Sequence, residues 1–359
     1  MWQGTVWLTT RYSSHPLKTG SKLPDISKFS GVAIGDVAKV DGLAKASILN
    51  IDGVAVPSAG FLLDTYANAE AAFSVRRLYS LYTGACIRVR RDSDNVEGDV
   101  GFDSNDEFSL TSPISATSNG LSYTDFADFI GHGGTPANGF VRYWYDQSQA
   151  GATGSGNDAG IAGSVRQPQI YDSSTGIIEE GAVGFEKPAL NFDGSDHFKY
   201  PCTFGTNIYY SFFTVRQFAN STGMGIGADF DGSYIADLYQ NNSAYSLQAG
   251  FNGSSPNDPT NTDYLLYRKD GAAAFTSLTT RAQYGAAFFT GNQNLMGFLT
   301  DGSPNSTTAT DIIIGSFAGP ALFITGKIQE FIMFQSTTSN ESSNASGIED
   351  DINGFFNIY

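Results

Sequence analysis

The chain has 359 residues and a formal net charge of −16, with 20 Lys and Arg side chains against 36 Asp and Glu. That balance excludes a phosphate-binding surface built from clustered cations, so no nucleic-acid partner is expected. Charged residues are only 16% of the chain while Gly (41), Phe (27) and Tyr (18) abound, which suits strands joined by tight turns and leaves long amphipathic helices scarce.

Residues 1–25 read as an N-terminal arm. They lack the continuous apolar run of a secretory leader, and no run in the chain is long enough for a membrane span, so membrane insertion is not expected. Residues 26–58 carry three gap-free copies of an 11-residue repeat, starting at Ile26, Val37 and Ile48. In each copy an apolar residue (Phe29, Val40, Ile51) precedes Ser or Asp and then Gly (Gly31, Gly42, Gly53). Ser-Gly and Asp-Gly between short apolar runs signal tight turns, because glycine takes positive φ at little cost. A unit this small cannot bury its apolar side alone. It is an attachment or oligomerisation module or, equally, a small meander packed on its own domain.

A helix is predicted next, with Asp64 or Thr65 as N-cap, Gly84 as exit, and Ala71, Ala72, Val75, Leu78, Tyr79 and Tyr82 at helical spacing. Ala85 to Arg90 then alternates with period two, as a strand with one wet face does. The basic clusters Arg76-Arg77 and Arg88 to Arg91 fall inside regular structure, with Asp92, Asp94 and Asp99 as nearby partners. Tyr123 to Ile130 reads as one or two helical turns, and Phe140 to Tyr145 as a strand ending in Asp146-Gln147. Residues 149–163 form a Gly-rich loop without periodicity. Lys187 to Asp196 reads as strand and turn, and beyond it apolar runs recur at sandwich-like spacing to a C-terminal helix on Ile348, Ile352, Phe355 and Phe356. Cys86 and Cys202 sit in apolar strand contexts and read as buried free thiols.

The segments Leu62–Phe102, Tyr143–Ser148 and Lys187–Asp196 together resemble the concanavalin-like, laminin-G-like β-sandwich of tailed-phage structural proteins and of the α-L-arabinofuranosidase B catalytic domain. The resemblance spans residues 62–359. It implies a mostly β jelly-roll sandwich with one or two peripheral helices, preceded by the small β-rich repeat module. Similar repeats precede the sandwich in phage tail and appendage proteins. The expectation is therefore a non-catalytic tail-fibre or appendage subunit at the virion surface. It would be held to other virion proteins through the repeat, be homo-oligomeric with a trimer as the usual state, and touch a host-surface glycan. The alternatives are a capsid decoration or head-fibre protein, and a glycosidase using an Asp pair drawn from Asp229, Asp231 and Asp237.

A retaining glycosidase needs two carboxyl groups, one acting as nucleophile and one as acid. In the resembled enzymes the nucleophile is a Glu, and this chain has none between Glu186 and Glu330. Their adjacent cysteine pair is also absent, so no catalytic residue carries over and no enzyme activity is expected. Tyr143, Tyr145, Asp146 and Gln147 are the candidate ligand-binding set, through stacking plus hydrogen bonds. The competing reading, which the pattern favours, has Asp146 and Gln147 capping a turn and satisfying buried backbone groups. Ca²⁺ is the one cofactor the resemblance admits, with Asp229 and Asp231, or the turn Asp193-Gly194-Ser195-Asp196, as ligands. Asp-Gly is also a common hairpin turn, and that reading is preferred. His15, His132 and His197 show no metal-ligand spacing.

Overall fold

A computed structural model of the chain describes residues 28–29, 32–33, 39–40, 43–44, 50–51, 54–55, 60–116, 121–148, 158–202, 209–218, 226–228, 238–241, 244–247, 264–275, 288, 290–300, 311–316 and 323–359. Two compact units are distinguished, Met1–Ala59 and Gly60–Tyr359.

In the first unit each repeat carries the same two-residue antiparallel ladder: Lys28–Phe29 with Val32–Ala33, Lys39–Val40 with Leu43–Ala44, and Asn50–Ile51 with Val54–Ala55. The ladders recur at the sequence period, as the turn chemistry of the repeat requires. Gly31, Gly42 and Gly53 lie outside the described residues.

The second unit is two layers of antiparallel sheet. One layer runs Ala272–Phe275, Tyr264–Lys269, Gln293–Thr300, Tyr209–Phe218, Thr325–Ser336, Ala69–Ser74. The other runs Ile114–Ala116, Glu97–Val100, Ile87–Arg91, Gly139–Trp144, Ala159–Gly160, Phe198–Pro201, Asp311–Ile314, Ile226–Ala228. Strands Gln169–Asp172 and Leu190–Asp193 join the layers, so the hydrogen-bonded network closes on itself. Aromatic rings fill the space between. Phe73 meets Trp144 at 5.8 Å, Tyr200 at 5.2 Å and Phe331 at 6.0 Å, centroid to centroid. Such tilted and edge-on pairs add to the large apolar area each ring buries.

Strands Tyr209–Phe218 and Thr325–Ser336 are buried along most of their length on both faces, which accounts for their high apolar content without strict alternation. The C-terminal helix, Ala345–Phe356, buries Ile348, Ile352 and Phe356. Buried Glu349 on it accepts from Arg268 Nε at 2.8 Å and so ties the helix to strand Tyr264–Lys269. A short helix, Phe126–Ile130, is capped by Asp125, whose carboxylate accepts the Asp128 N–H. None of the helices among the described residues is long and apolar enough to cross a membrane.

The predicted helix from Asp64 to Gly84 is corrected. Only Leu62–Thr65 is helical, Ala69–Ser74 is a strand paired with Thr325–Ser336, and Asp64 accepts from Ser80 instead of capping a helix. The apparent helical stripe came from residues in separate elements: Ala71 and Ala72 lie on the strand, while Val75, Leu78 and Tyr82 follow it. Ala69, Ala71, Ala72 and Phe73 are all buried. Two-sided burial in the sheet outweighs the helix preference of alanine, which is only a few tenths of a kcal/mol to about 1 per residue. Cys86 and Cys202 are buried free thiols.

Candidate functional site

One register row crosses the second layer on its outer face: Asp99, Arg88, Tyr143, Gly160 and Lys199 are successive cross-strand partners. The neighbouring row, with Ile87, Trp144 and Ala159, turns inward and is fully buried. Alternation along the pleat thus sorts polar from apolar positions. Beside the outer row opens a cleft of about 510 Å³ lined by Tyr82, Gly84, Ala85, Arg88, Asp99, Tyr143, Tyr145 and Asp158. That volume suits one or two sugar rings.

The two carboxyl groups of the cleft differ in environment. Asp99 is fully engaged: Arg88 grips it with Nε at 2.7 Å and a second nitrogen at 2.8 Å, and the Tyr145 hydroxyl donates to it at 2.5 Å. Such a bidentate pair is a fixed anion. Among the described residues, Asp158 accepts one hydrogen bond, from the Asp146 N–H to Oδ1 at 3.0 Å. Its pKa is raised, first by burial, and further by the charge of Asp99 against the opposing pull of Arg88 and the Asp146 N–H. Tyr82 and Tyr145 are likewise pushed above the usual phenol range by burial. A half-buried acid next to a locked carboxylate is the arrangement that separates a proton donor from an anion.

Tyr143 and Tyr145, both in the sequence-derived ligand set, line this cleft. Asp146 and Gln147 do not: both are completely buried, so of their two readings the ligand one is corrected and the turn-capping one, which the pattern favoured, is what the structure holds. Asp146 Oδ1 accepts from the N–H groups of Ala72 (2.8 Å) and Ser148 (2.9 Å), and Oδ2 from the Ser148 hydroxyl. Gln147 donates to the carbonyls of Ser74 and Arg76 and accepts from the Leu78 N–H. The pair clamps the segment after strand Ala69–Ser74 to the opposite layer. Asp99 and Asp158 escaped the sequence reading as site residues. Asp99 was legible only as an arginine partner, and Asp158 lies in the Gly-rich loop, where no periodicity marks it.

Burial raises the Asp146 pKa from 3.8 to about 6 against the opposing pull of its hydrogen bonds. A raised carboxyl binds its proton more tightly in the folded state, so its stabilising share is complete below pH 3.8 and is lost as pH rises through about 6. Asp146→Asn keeps the neutral shape and removes that loss. In urea melts its stability relative to wild type is expected to improve by up to about 3 kcal/mol between pH 4 and pH 7. A pH-independent difference would show that Asp146 does not titrate in the fold.

The turn Asp193-Gly194-Ser195-Asp196 uses its own oxygens: Asp193 accepts from the N–H and hydroxyl of Ser195, and Asp196 from the Asp193 N–H. Among the described residues no three His, Cys, Asp or Glu side chains converge as metal ligands. Asp229, Asp231 and Asp237 lie outside the described residues.

No protein-family model and no curated protein matches the chain. Solved structures do. An arabinofuranosidase complexed with arabinofuranosyl-α-1,2-xylobiose matches over 82% of this chain with a TM-score of 0.50 at 12% identity. A GH54 α-L-arabinofuranosidase soaked with a cyclic sulfate inhibitor matches over 82% with a TM-score of 0.51 at 13% identity, as does a GH54 mutant soaked with 4-nitrophenyl α-L-arabinofuranoside. The chain spans 64% of the length of each of these proteins. This likeness carries the layered-sheet fold. It also overturns the expectation of a non-catalytic phage tail-fibre or capsid-decoration subunit, since these structures are glycosidases and none is a phage protein.

Proposed function

We propose that the protein is a glycoside hydrolase that removes arabinofuranosyl residues from larger glycans. The observation that carries this reading is the pairing, in one cleft, of a protonatable Asp158 with an Asp99 locked by Arg88 and Tyr145, on a sandwich similar to arabinofuranosidases. Cleavage of a glycosidic bond builds positive charge on the sugar ring while the leaving oxygen needs a proton. Asp158 donates that proton to the leaving oxygen, and water then adds to the anomeric carbon and returns a proton to the Asp158 carboxylate. Asp99, held by Arg88 and Tyr145, is not free to act as a nucleophile and serves to raise the Asp158 pKa. A glutamate nucleophile like that of the resembled enzymes has no counterpart between Glu186 and Glu330, so the proposed reaction relies on Asp158 as the acid with water as the nucleophile.

The test is release of arabinose by the full chain from 4-nitrophenyl α-L-arabinofuranoside, beside the matching pyranosides. Turnover confined to the furanoside is expected. No turnover on any glycoside of the panel would sink the reading.

A further inference from the structure

We propose that Tyr143 and Tyr145 form a stacking platform for a neutral oligosaccharide chain, extending the cleft along the outer sheet face; the proposal rests on the glycosidase reading for the kind of sugar but not for the site. The two rings are nearly parallel, 13° apart with centroids at 6.2 Å, and both border the cleft. Near-parallel aromatic rings at the border of a cleft suit the apolar faces of sugar rings, whose C–H groups pack on an aromatic face while their hydroxyls stay at the edges.

The platform is held in place from behind. Gly160 is the cross-strand neighbour of Tyr143, and a Cβ there would fall 2.5 Å from the tyrosine Cε1. Only a glycine leaves room for the ring to lie across the adjacent strand, the arrangement by which an aromatic covers a glycine in a sheet. The guanidinium carbons of Arg88 and Arg142 stand over the Tyr143 ring at 5.5 and 5.6 Å from its centroid, within cation–π range, and fix its orientation.

Charge pairing decides which glycan fits. Arg88 is neutralised by Asp99, Arg142 by Glu97 and Lys199 by Asp311. The platform's rim therefore offers hydrogen-bonding groups without net charge, on a chain of net charge −16. Such a surface repels a polyanion and accepts a neutral chain.

Titration calorimetry of the full chain with xylo-oligosaccharides of two to six residues tests the platform. In Asp158→Asn, where turnover of oligosaccharides is slowed, affinity is expected to rise with chain length. Tyr143→Ala is expected to weaken the longer oligomers about tenfold, with Tyr143→Phe restoring them. Gly160→Ala, which displaces the ring without removing it, should weaken them as well, and it serves if Tyr143→Ala does not fold. Equal affinity in the alanine and wild-type chains, absence of binding, or tighter binding of galacturonic acid oligomers would overturn the platform. Intact binding with no hydrolysis of any glycoside would instead remove the hydrolase reading and leave the platform standing.

Discussion

Asp158→Asn is expected to lower kcat/KM on an arabinofuranosyl oligosaccharide by about 10²–10⁴-fold, the range a positioned proton donor supplies. The size follows from the leaving group, since a sugar alkoxide departs slowly unless protonated as the bond breaks. A 4-nitrophenolate departs without that help, so the same variant should lose far less on the aryl glycoside. The contrast separates loss of a proton donor from general damage, which would depress both substrates alike. The pH profile gives an independent readout. Asp158 must be protonated to act, and burial, assisted by Asp99, raises its pKa above the ordinary value of 3.8. Activity is then present below the raised pKa and lost as pH climbs through it, and this alkaline limb should vanish in Asp158→Asn. Removing the neighbouring charge in Asp99→Asn should move the limb to lower pH. Retention of full kcat/KM on the oligosaccharide by Asp158→Asn would take Asp158 out of the reaction.

The sandwich strands were readable where burial is two-sided. Tyr209 to Val215 and Lys327 to Phe334 are largely apolar stretches that the structure places at the centre of a covered sheet. Ala69–Ser74 was not readable, because alanine is as much at home in a helix and the stabilising partners, Asp146 and strand Thr325–Ser336, are far away in sequence. The site shows the same division. Tyr143 and Tyr145 announced themselves as aromatics at a strand end, and the favoured reading of Asp146 and Gln147 as a turn cap agrees with their turning into the core where the strand ends. The cleft carboxyls come together only through strand pairing, Asp99 by its register with Arg88 and Asp158 by its hydrogen bond from the Asp146 N–H. Their proximity is a product of topology, and neither spacing nor composition encodes it.

Arg76→Met should destabilise the fold by about 3–5 kcal/mol in urea unfolding, the cost of leaving a buried charge without its partner. Glu330 is completely buried on strand Thr325–Ser336 and takes Arg76 Nε at 2.9 Å, a second Arg76 nitrogen at 3.2 Å and the Ser74 hydroxyl at 2.6 Å. The same guanidinium reaches Asp351 on the C-terminal helix at 2.8 Å and lies 5.2 Å from the Phe355 ring centroid. One side chain therefore fastens the end of strand Ala69–Ser74 to its neighbour strand and to the covering helix. Methionine preserves much of the stem's packing but strands the Glu330 carboxylate in a dry site. Arg76→Met combined with Glu330→Gln should recover a large part of the loss, because no unpaired charge remains. Arg77 provides the internal contrast. Its bridge to Asp106 at 3.0 Å is reached by solvent on both sides, 25% and 43%, so Arg77→Met should cost no more than about 1 kcal/mol. A loss of that small size for Arg76→Met would mean that water or another donor reaches Glu330, and the adjoining helix would then owe its position to apolar contact alone.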